Sequence, residues 1–278
     1  MTSPLVSVII PCYNTGHFLH LPVESVLNQP YENFELLIVN DGSTDPQTLE
    51  CFEKLNHPKI RIIHQKNRGL AGARNGGIEQ ARGKYILPLD ADDKTSPIGL
   101  SRPVEILETQ PEISVVYGNV QYFGDENRLV KPPKFNAYRV LLANCFVVSS
   151  MFRRSAWEEV GGYTERTLGF EDWEFWLKLI EKNHKFLKVD DVLFHYHKRY
   201  NSDLYKTLKI YRPTTEQIKT LHPKLYSLEN MKRLRKENSV KWWEDLAWQI
   251  PLPLRDRVNR ITPLRAVKDW IRDILWKP

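Results

Sequence analysis

The stretch "KYILPLDADD", residues 84–93, joins a short apolar run to three aspartates. The apolar half predicts a buried β-strand, because it is short and bounded by polar residues. The aspartates that follow are Asp90, Asp92 and Asp93. Like charges about 4 Å apart repel by about 4 kcal/mol at an effective dielectric constant of about 20. We therefore expect either a positive partner at this strand end or side chains that point apart into water.

Strand and helix patterns alternate upstream of this stretch. Strands are predicted at 6–10, 34–39, 59–64 and 84–89, and helices at 17–28, 44–55 and 70–81. Repeated strand–helix units of this length indicate a parallel sheet covered by helices, and so an α/β fold.

Polar clusters follow three of these strands: "PCYN" (11–14), "NDGSTD" (40–45) and "DADD" (90–93). Each cluster alone is compatible with a simple turn. Parallel strands, however, bring their carboxyl ends to one edge of the sheet, where ligands of such folds bind. Three clusters on one edge therefore indicate a site.

The aspartates suit a hard divalent cation, because Mg²⁺ and Mn²⁺ prefer one or two carboxylates together with phosphate oxygens. The pair Asp90 and Asp92 thus predicts a ligand with a diphosphate group and a bridging metal ion. For Asp93, capping of a following helix is an equally open alternative.

The chain changes character after about residue 113. A strand is predicted at 113–123, an amphipathic helix at 171–182, two short strands at 185–189 and 192–197, and helices beyond about 205. From Leu204 onward there are 17 Lys and Arg against 8 Asp and Glu, a net charge of +9. The total of +6 leaves −3 for the first 203 residues. The basic tail is compatible with an acidic partner or with a solvated helical surface.

The three cysteines form no CxxC pair, which argues against a disulfide framework or a zinc site. Neither a signal-peptide pattern nor an apolar run long enough to cross a bilayer is evident. A cytoplasmic location is the expectation, with peripheral contact at the inner face of the membrane as an addition to it.

Four blocks resemble the family 2 glycosyltransferases: "VSVIIPCYN", "LLIVNDGSTD", "NRGLAGARNGGIEQARGKYILPLDADD" and "GFEDWEFWLKL". The resemblance covers about residues 4–205 and implies the GT-A fold, with a mostly parallel central sheet flanked by helices. It assigns 1–110 to a nucleotide-sugar-binding half and 111–205 to an acceptor-binding half of the same domain. Residues 206–278 lie beyond the resemblance, and their pattern and composition predict a basic, Trp-rich helical C-terminal extension.

The resemblance also implies roles in nucleotide binding. The matching residues are Pro11, Tyr13, Asn14, Asp41, Arg74 and Asp90. Tyr13 matches an aromatic residue that stacks on the base, and Asp41 matches the acceptor for the uracil N–H. Arg74 matches an arginine near the base and the phosphates. Asn40 stands where the family often has another aspartate.

Metal binding and catalysis are implied in the same way. Asp90 and Asp92 match the DxD motif, with Asp92 as a direct ligand of Mn²⁺ or Mg²⁺. Asp172 matches the catalytic base of an inverting displacement, with Glu171 beside it, and helix capping is its alternative role. Asp93 remains an accessory candidate.

The segment "HYHKRYNS" (195–202) departs from the family pattern. His197 stands at the usual arginine position, and Arg199 stands where the family has a histidine that reaches the metal. Arg199 cannot ligate a metal, but its guanidinium is suited to a diphosphate oxygen. His195 and His197 are the alternatives for a third metal ligand.

The processive QxxRW motif is absent, which favours addition of one sugar over polymer extrusion. The expected donor is UDP- or dTDP-linked, and the expected acceptor is a hydroxyl of a glycan, a lipid-linked molecule or another acceptor, with no nucleic acid partner. A sugar nucleotidyltransferase would need a Gly-rich, Arg-containing loop after the first strand, and a dehydrogenase would need GxGxxG there; both are missing. An inactive sugar-binding module would lack the DxD motif or the base.

The tail contains an amphipathic pattern, "PLRAVKDWIRDILW" (263–276). Its tryptophans and basic residues suit a membrane surface. Packing on the catalytic domain or on a second copy in a homodimer is the alternative. The tail tryptophans are Trp242, Trp243, Trp248, Trp270 and Trp276.

Overall fold

The computed structural model describes residues 5–167, 169–199 and 204–240, and only the backbone within 204–212. The chain divides into two compact units. The first contains Met1–Asn136 and Cys145–Ser202, and the second contains Ala137–Asn144 and Asp203–Pro278.

The described part of the first unit contains the sheet and most of the helices. Its strands are β1 (Val6–Cys12), β2 (Phe34–Asp41), β3 (Ile60–Gln65), β4 (Tyr85–Pro88), β5 (Lys94–Thr95), β6 (Ile113–Gly124), β7 (Leu129–Val130), β8 (Met151–Arg153) and β9 (Lys185–Lys198). The α-helices in the described parts of both units are α1 (His20–Leu27), α2 (Pro46–Lys54), α3 (Gly69–Glu79), α4 (Ser101–Thr109), α5 (Ala137–Leu142), α6 (Arg154–Val160), α7 (Glu171–Glu181), α8 (Leu204–Leu221) and α9 (Leu228–Glu237). Of these, α5, α8 and α9 belong to the second unit.

The strands lie in the order β3-β2-β1-β4-β8-β6-β9-β5, with β7 paired to β6. The first four are parallel, as the strand–helix alternation predicts, and Val8 lies beside both Leu36 and Leu87. The later part adds antiparallel pairs, since β8 runs antiparallel to β4 and β6. The two short strands predicted at 185–189 and 192–197 are one continuous strand, β9.

The centre of the sheet is packed on both faces. All seven residues of β1 are buried, which explains why its sequence is a nearly continuous apolar run, interrupted only by Ser7, rather than an alternating one. Helix α3 approaches the sheet through small residues. A Cβ atom at Gly77 would lie 2.5 Å from Cγ2 of Ile9 and 2.9 Å from Cγ2 of Val39. The glycine therefore permits the close approach that brings α3 to the strand ends.

Helix α2 begins with a side-chain cap. Asp45 accepts a hydrogen bond from the Thr48 amide at 2.8 Å, and Pro46 is the first helical residue. The helix predicted at 17–28 is instead a single 3₁₀ turn, Gly16–Phe18, followed by α1.

Within the second unit, the Tyr226 hydroxyl donates to the Leu141 carbonyl at 2.9 Å. Ser227 caps α9 by accepting from the Asn230 amide at 3.3 Å. Across the described ranges, no helix has both the length and the apolar character that crossing a bilayer requires. The five tail tryptophans and the helix predicted at 263–276 lie outside the described residues.

Candidate active site

The loops that follow β1 and β2 are fastened to each other by Asn14. Its side-chain oxygen accepts from the amides of Thr44 and Asp45 at 2.8 and 2.9 Å, and its own amide donates to Ser43 Oγ at 3.1 Å. The backbone of Asn14 is left-handed, with φ +53°, a conformation that asparagine tolerates better than most residues. Asn14, expected at the nucleotide, thus fixes the relative position of two of the three predicted loops.

Asp41 lines a cavity of about 310 Å³ at the edge of the sheet. It is buried, and its Oδ1 accepts from Gln65 Nε2 at 2.7 Å and from the Arg68 amide at 2.9 Å. The lining residues are Pro11, Cys12, Tyr13, Asp41, Asn67, Gly69, Leu70 and Ala73. Three of the residues expected around the base, Pro11, Tyr13 and Asp41, are thereby brought together, with the Tyr13 ring half exposed.

The other wall of this cavity is the beginning of α3, which the sequence analysis did not single out. Gly69 opens the helix with φ +73°, and Leu70 and Ala73 follow on the cavity side. Amides at a helix N-terminus favour negatively charged groups. A glycine directly before an apolar helix, after a predicted strand, is the signal that could have identified this wall.

Arg74 connects the acid cluster, which consists of Asp90, Asp92 and Asp93, to helix α7. Its side chain is only 1% exposed, with Nη2 2.7 Å from Asp90 Oδ1 and Nη1 2.5 Å from Glu171 Oε1. Burial alone would lower the pKa of Arg74, but the charges of Asp90 and Glu171 outweigh it and raise the pKa. The guanidinium expected near the base and phosphates is thus directed at two carboxylates.

The carboxylate of Asp92 has a different arginine as its partner. Its carboxylate forms an ion pair with the Arg199 guanidinium, which also lies over the ring of Phe18 at 4.6 Å from the ring centroid. Burial raises the pKa of Asp92, the charge of Asp90 raises it further, and Arg199 opposes both.

Asp93 is buried and accepts from the backbone amide of His197 at 2.7 Å. Burial, together with the charges of Asp90 and Asp92, holds the pKa of its carboxyl well above the usual range. The alternative role as a helix cap is wrong, because Asp93 precedes β5 and the next helix begins at Ser101. The three acids are therefore accommodated by three different partners: Arg74, Arg199 and a backbone amide.

Asp172 lies in the first turn of α7, one residue after the helix begins at Glu171. The helix N-cap is Phe170, so capping by Asp172 is excluded as an alternative role. Helix amides in the first turn stabilise a carboxylate. The preceding residue, Glu171, pairs with Arg74, so the first turn of α7 that contains Asp172 lies beside Arg74.

The two histidines of β9 differ in their surroundings. The ring of His197 stacks on Phe123 with 4.7 Å between centroids and meets Phe18 edge-on at 5.6 Å. Burial lowers the pKa of His195, and the charge of Lys94 lowers it further.

In the part of the chain that the structure describes, no group of three or more His, Cys, Asp or Glu side chains has the arrangement of a metal site. The donor set fits a cation that takes one or two carboxylates and completes its shell with ligand oxygens.

Comparison with known proteins agrees with this arrangement of strands and loops. The model of the family described as "Glycosyl transferase family 2" matches residues 7–166. This chain belongs to glycosyltransferase family 2. The match extends from the second residue of β1 through the loop that contains Glu165, and so includes the cavity and the acid cluster.

Related sequences lie in proteins of very different length. A chondroitin synthase of Pasteurella multocida is 33% identical over 184 residues, which are 64% of this chain and 19% of that protein. The chain thus spans about a fifth of the length of that relative. An uncharacterized glycosyltransferase of Methanocaldococcus jannaschii is 30% identical over 208 residues, covering 70% of this chain and 71% of that protein.

Two solved structures share the GT-A fold. S. aureus TarS 1–349 in complex with UDP-GlcNAc superposes with a TM-score of 0.62 at 20% identity, over 91% of this chain and 80% of that one. The mannosyltransferase PcManGT from Pyrobaculum calidifontis, in complex with GDP-Man and Mn²⁺, gives 0.61 at 17% identity, over 95% and 88% of the two chains.

Proposed function

We propose that this protein is an inverting, metal-dependent glycosyltransferase that moves one sugar from a nucleotide-diphospho-sugar, UDP- or dTDP-linked, to an acceptor hydroxyl. The observation that carries the proposal is the cavity lined by Asp41, on the same sheet edge as Asp90 and Asp92. In this reading the donor occupies the half formed by 1–110, and a glycan or lipid-linked acceptor meets the half formed by 111–205.

The cavity supports nucleoside binding by its shape and chemistry. Tyr13 and Pro11 offer apolar surface to a base, and Asp41 offers a carboxylate to a ring N–H. Because Asp41 Oδ1 already accepts two hydrogen bonds from the protein, the carboxylate is held in one orientation. A preorganised acceptor of this kind favours a base with an imide N–H, as in uracil and thymine.

Asp92 and Asp90 are the residues that would hold Mn²⁺ or Mg²⁺. When bound, the cation would neutralise the negative charge that develops on the nucleoside diphosphate as the sugar–phosphate bond breaks. Both carboxylates follow directly after β4, whose end is fixed by the parallel pairing with β1. The strand end therefore offers the two oxygen ligands from a rigid support.

Asp172 is the proposed base. An acceptor hydroxyl is a poor nucleophile at neutral pH, so a carboxylate within hydrogen-bond reach must take its proton. Amides in the first turn of α7 favour the charged form of a carboxylate, and the Arg74–Glu171 ion pair fixes that turn relative to the acid cluster. Attack from the side opposite the leaving diphosphate would invert the anomeric centre.

A thermal-shift screen of nucleotide sugars with and without Mn²⁺ tests the proposal, because a ligand that binds only the folded protein raises its stability. We expect UDP- or dTDP-sugars to raise the unfolding temperature only when Mn²⁺ is present. Asp92→Ala should remove the part of the shift that requires Mn²⁺. A shift of equal size without metal, or in Asp92→Ala, would contradict the metal site, and the absence of any shift with every nucleotide sugar would contradict the donor class.

A further inference from the structure

Arg199 lies against the carboxylate that is proposed to hold the metal. It follows β9 directly, and its guanidinium contacts Asp92, whose side chain is 24% exposed, while 43% of the Arg199 side chain remains exposed. The contact uses Oδ2 of Asp92. A guanidinium is a permanent cation and supplies no lone pair for a metal. Arg199 therefore occupies a carboxylate oxygen of Asp92 that a metal ion would use, and it offers the metal ion no ligand atom of its own.

Two independent contacts hold Arg199 there. Two residues earlier, the His197 amide donates to Asp93 at 2.7 Å, which fastens the end of β9 to the acid cluster. On the other side the guanidinium lies 4.6 Å from the centroid of the Phe18 ring, a distance at which a cation is attracted to the ring. Phe18 ends the turn that Gly16 anchors by donating its amide to Thr48 Oγ1 at 2.9 Å.

These contacts hold the positively charged side chain of Arg199 beside the acid cluster. Asp92 is partly buried next to Asp90, where an uncompensated charge is unfavourable. Arg199 supplies the compensation in the absence of ligand. A divalent cation that binds Asp92 must therefore displace the guanidinium, and the displaced group is a bidentate donor of the kind that binds phosphate oxygens.

We propose that Arg199 competes with the divalent cation for Asp92 in the nucleotide-free protein and turns to the donor diphosphate once the cation is bound. The proposal rests on the proposed function, since it takes the metal and the nucleotide from there. It predicts opposite effects of one substitution on two ligands: removal of Arg199 strengthens binding of the cation alone and weakens binding of the nucleotide in its presence.

The test measures Mn²⁺ binding by the electron paramagnetic resonance signal of free Mn²⁺, first without nucleotide. We expect Arg199→Ala to raise the Mn²⁺ affinity about tenfold, equivalent to about 1.4 kcal/mol. Lys198→Ala is the matched control, because it removes the same charge one residue away, from a side chain that lies over Tyr122 and Tyr196. Its Mn²⁺ affinity should change by less than about twofold, since its ammonium lies over those two rings whereas the Arg199 guanidinium contacts Asp92 directly.

The second measurement is calorimetry of UDP binding at saturating Mn²⁺, where Arg199→Ala should bind about tenfold more weakly than wild type, the loss expected for a charge-assisted contact of about 1.4 kcal/mol. Arg199→Gln repeats both measurements with a side chain that can still cover Phe18, so that a folding defect of the alanine variant does not decide the outcome. Thermal unfolding of each variant checks its fold.

The outcomes separate this inference from the function on which it rests. If wild type binds UDP with Mn²⁺ but Arg199→Ala and Arg199→Gln bind Mn²⁺ no better than Lys198→Ala, the competition is wrong and the proposed function stands. Weaker Mn²⁺ binding by both Arg199 variants overturns it as well. If wild type binds no Mn²⁺ even with UDP present, the metal site fails and the role of Arg199 fails with it.

Discussion

Replacing Arg74 by methionine is the most direct test of the buried ion network. Methionine has a similar length and is apolar, so the change removes the charge with little loss of volume. The guanidinium now lies 2.7 Å from Asp90 and 2.5 Å from Glu171 while being 1% exposed. In Arg74→Met, both carboxylates stay where they are without their shared cation.

The cost follows from the burial of the partners. Removing one member of a buried ion pair costs about 3–5 kcal/mol, because it leaves an uncompensated charge. The side chains of Glu171 and Asp90 are 13% and 28% exposed, so water reaches them in part. We therefore expect the lower end of that range, a loss of about 3 kcal/mol in the free energy of unfolding.

Arg102→Met is the matched control. Arg102 also contacts two carboxylates, Glu105 at 2.7 Å and Asp191 at 3.3 Å, but its side chain is 39% exposed. Exposed pairs contribute about 0–1 kcal/mol, so its replacement should cost less than about 1 kcal/mol. Urea unfolding followed by circular dichroism measures both variants under the same conditions.

A double variant separates charge from packing. Arg74→Met combined with Glu171→Gln removes one of the two stranded charges, and should be more stable than Arg74→Met alone by about 1–2 kcal/mol. Equal losses for Arg74→Met and Arg102→Met would refute the reasoning, since burial would then not set the cost. A double variant less stable than Arg74→Met would show that Glu171 acts through packing rather than charge.

Three further changes test single residues. Asp172→Asn should leave UDP binding within about twofold, since it keeps the shape of the side chain, while transfer measured by UDP release falls by at least about a hundredfold; an unchanged turnover number would remove Asp172 as the base. Asp41→Ala should weaken UDP binding at least about tenfold by calorimetry, because a hydrogen bond to a charged group is lost. An unchanged affinity would show that the uracil ring binds elsewhere. Burial lowers the pKa of His184, so the unfolded chain takes up a proton more readily and stability falls as the pH drops below about 6.5. His184→Gln should flatten that fall in thermal unfolding between about pH 7 and pH 5, and an unchanged slope would show that other groups cause it.

The strand ends were predictable because the physics there is local. A short apolar run followed by polar residues predicts both a buried strand and the loop after it, and the parallel pairing then brings those loops to one edge. This reasoning gave the positions of Asp41, Asp90 and Asp92 before any contact was known. The cap of α2 was predictable for the same reason, since Asp45 and Pro46 act within one turn.

The partners of these side chains were not predictable in the same way. Arg74 contacts Glu171 across 97 residues of sequence, and Arg199 contacts Asp92 across 107. Nothing in the local pattern pairs particular charges at such separations. The antiparallel pairing of β8 with β4 and β6 was not predictable either, because its three residues are too few to show a period. The sequence therefore predicts the residues at the ends of the first four strands, but it does not predict the partners that the later strands and α7 bring to them.

Among the described residues, the arginines that pair with the carboxylates of the site are fewer than those carboxylates. The carboxylates of Asp90, Asp92 and Glu171 face two guanidinium groups, those of Arg74 and Arg199. An anionic diphosphate gains little from approaching such a cluster by itself, whereas a divalent cation is attracted to it. The residual charge therefore favours joint binding of cation and nucleotide, and it gives a physical reason to expect that the affinity for a nucleotide sugar depends on Mn²⁺.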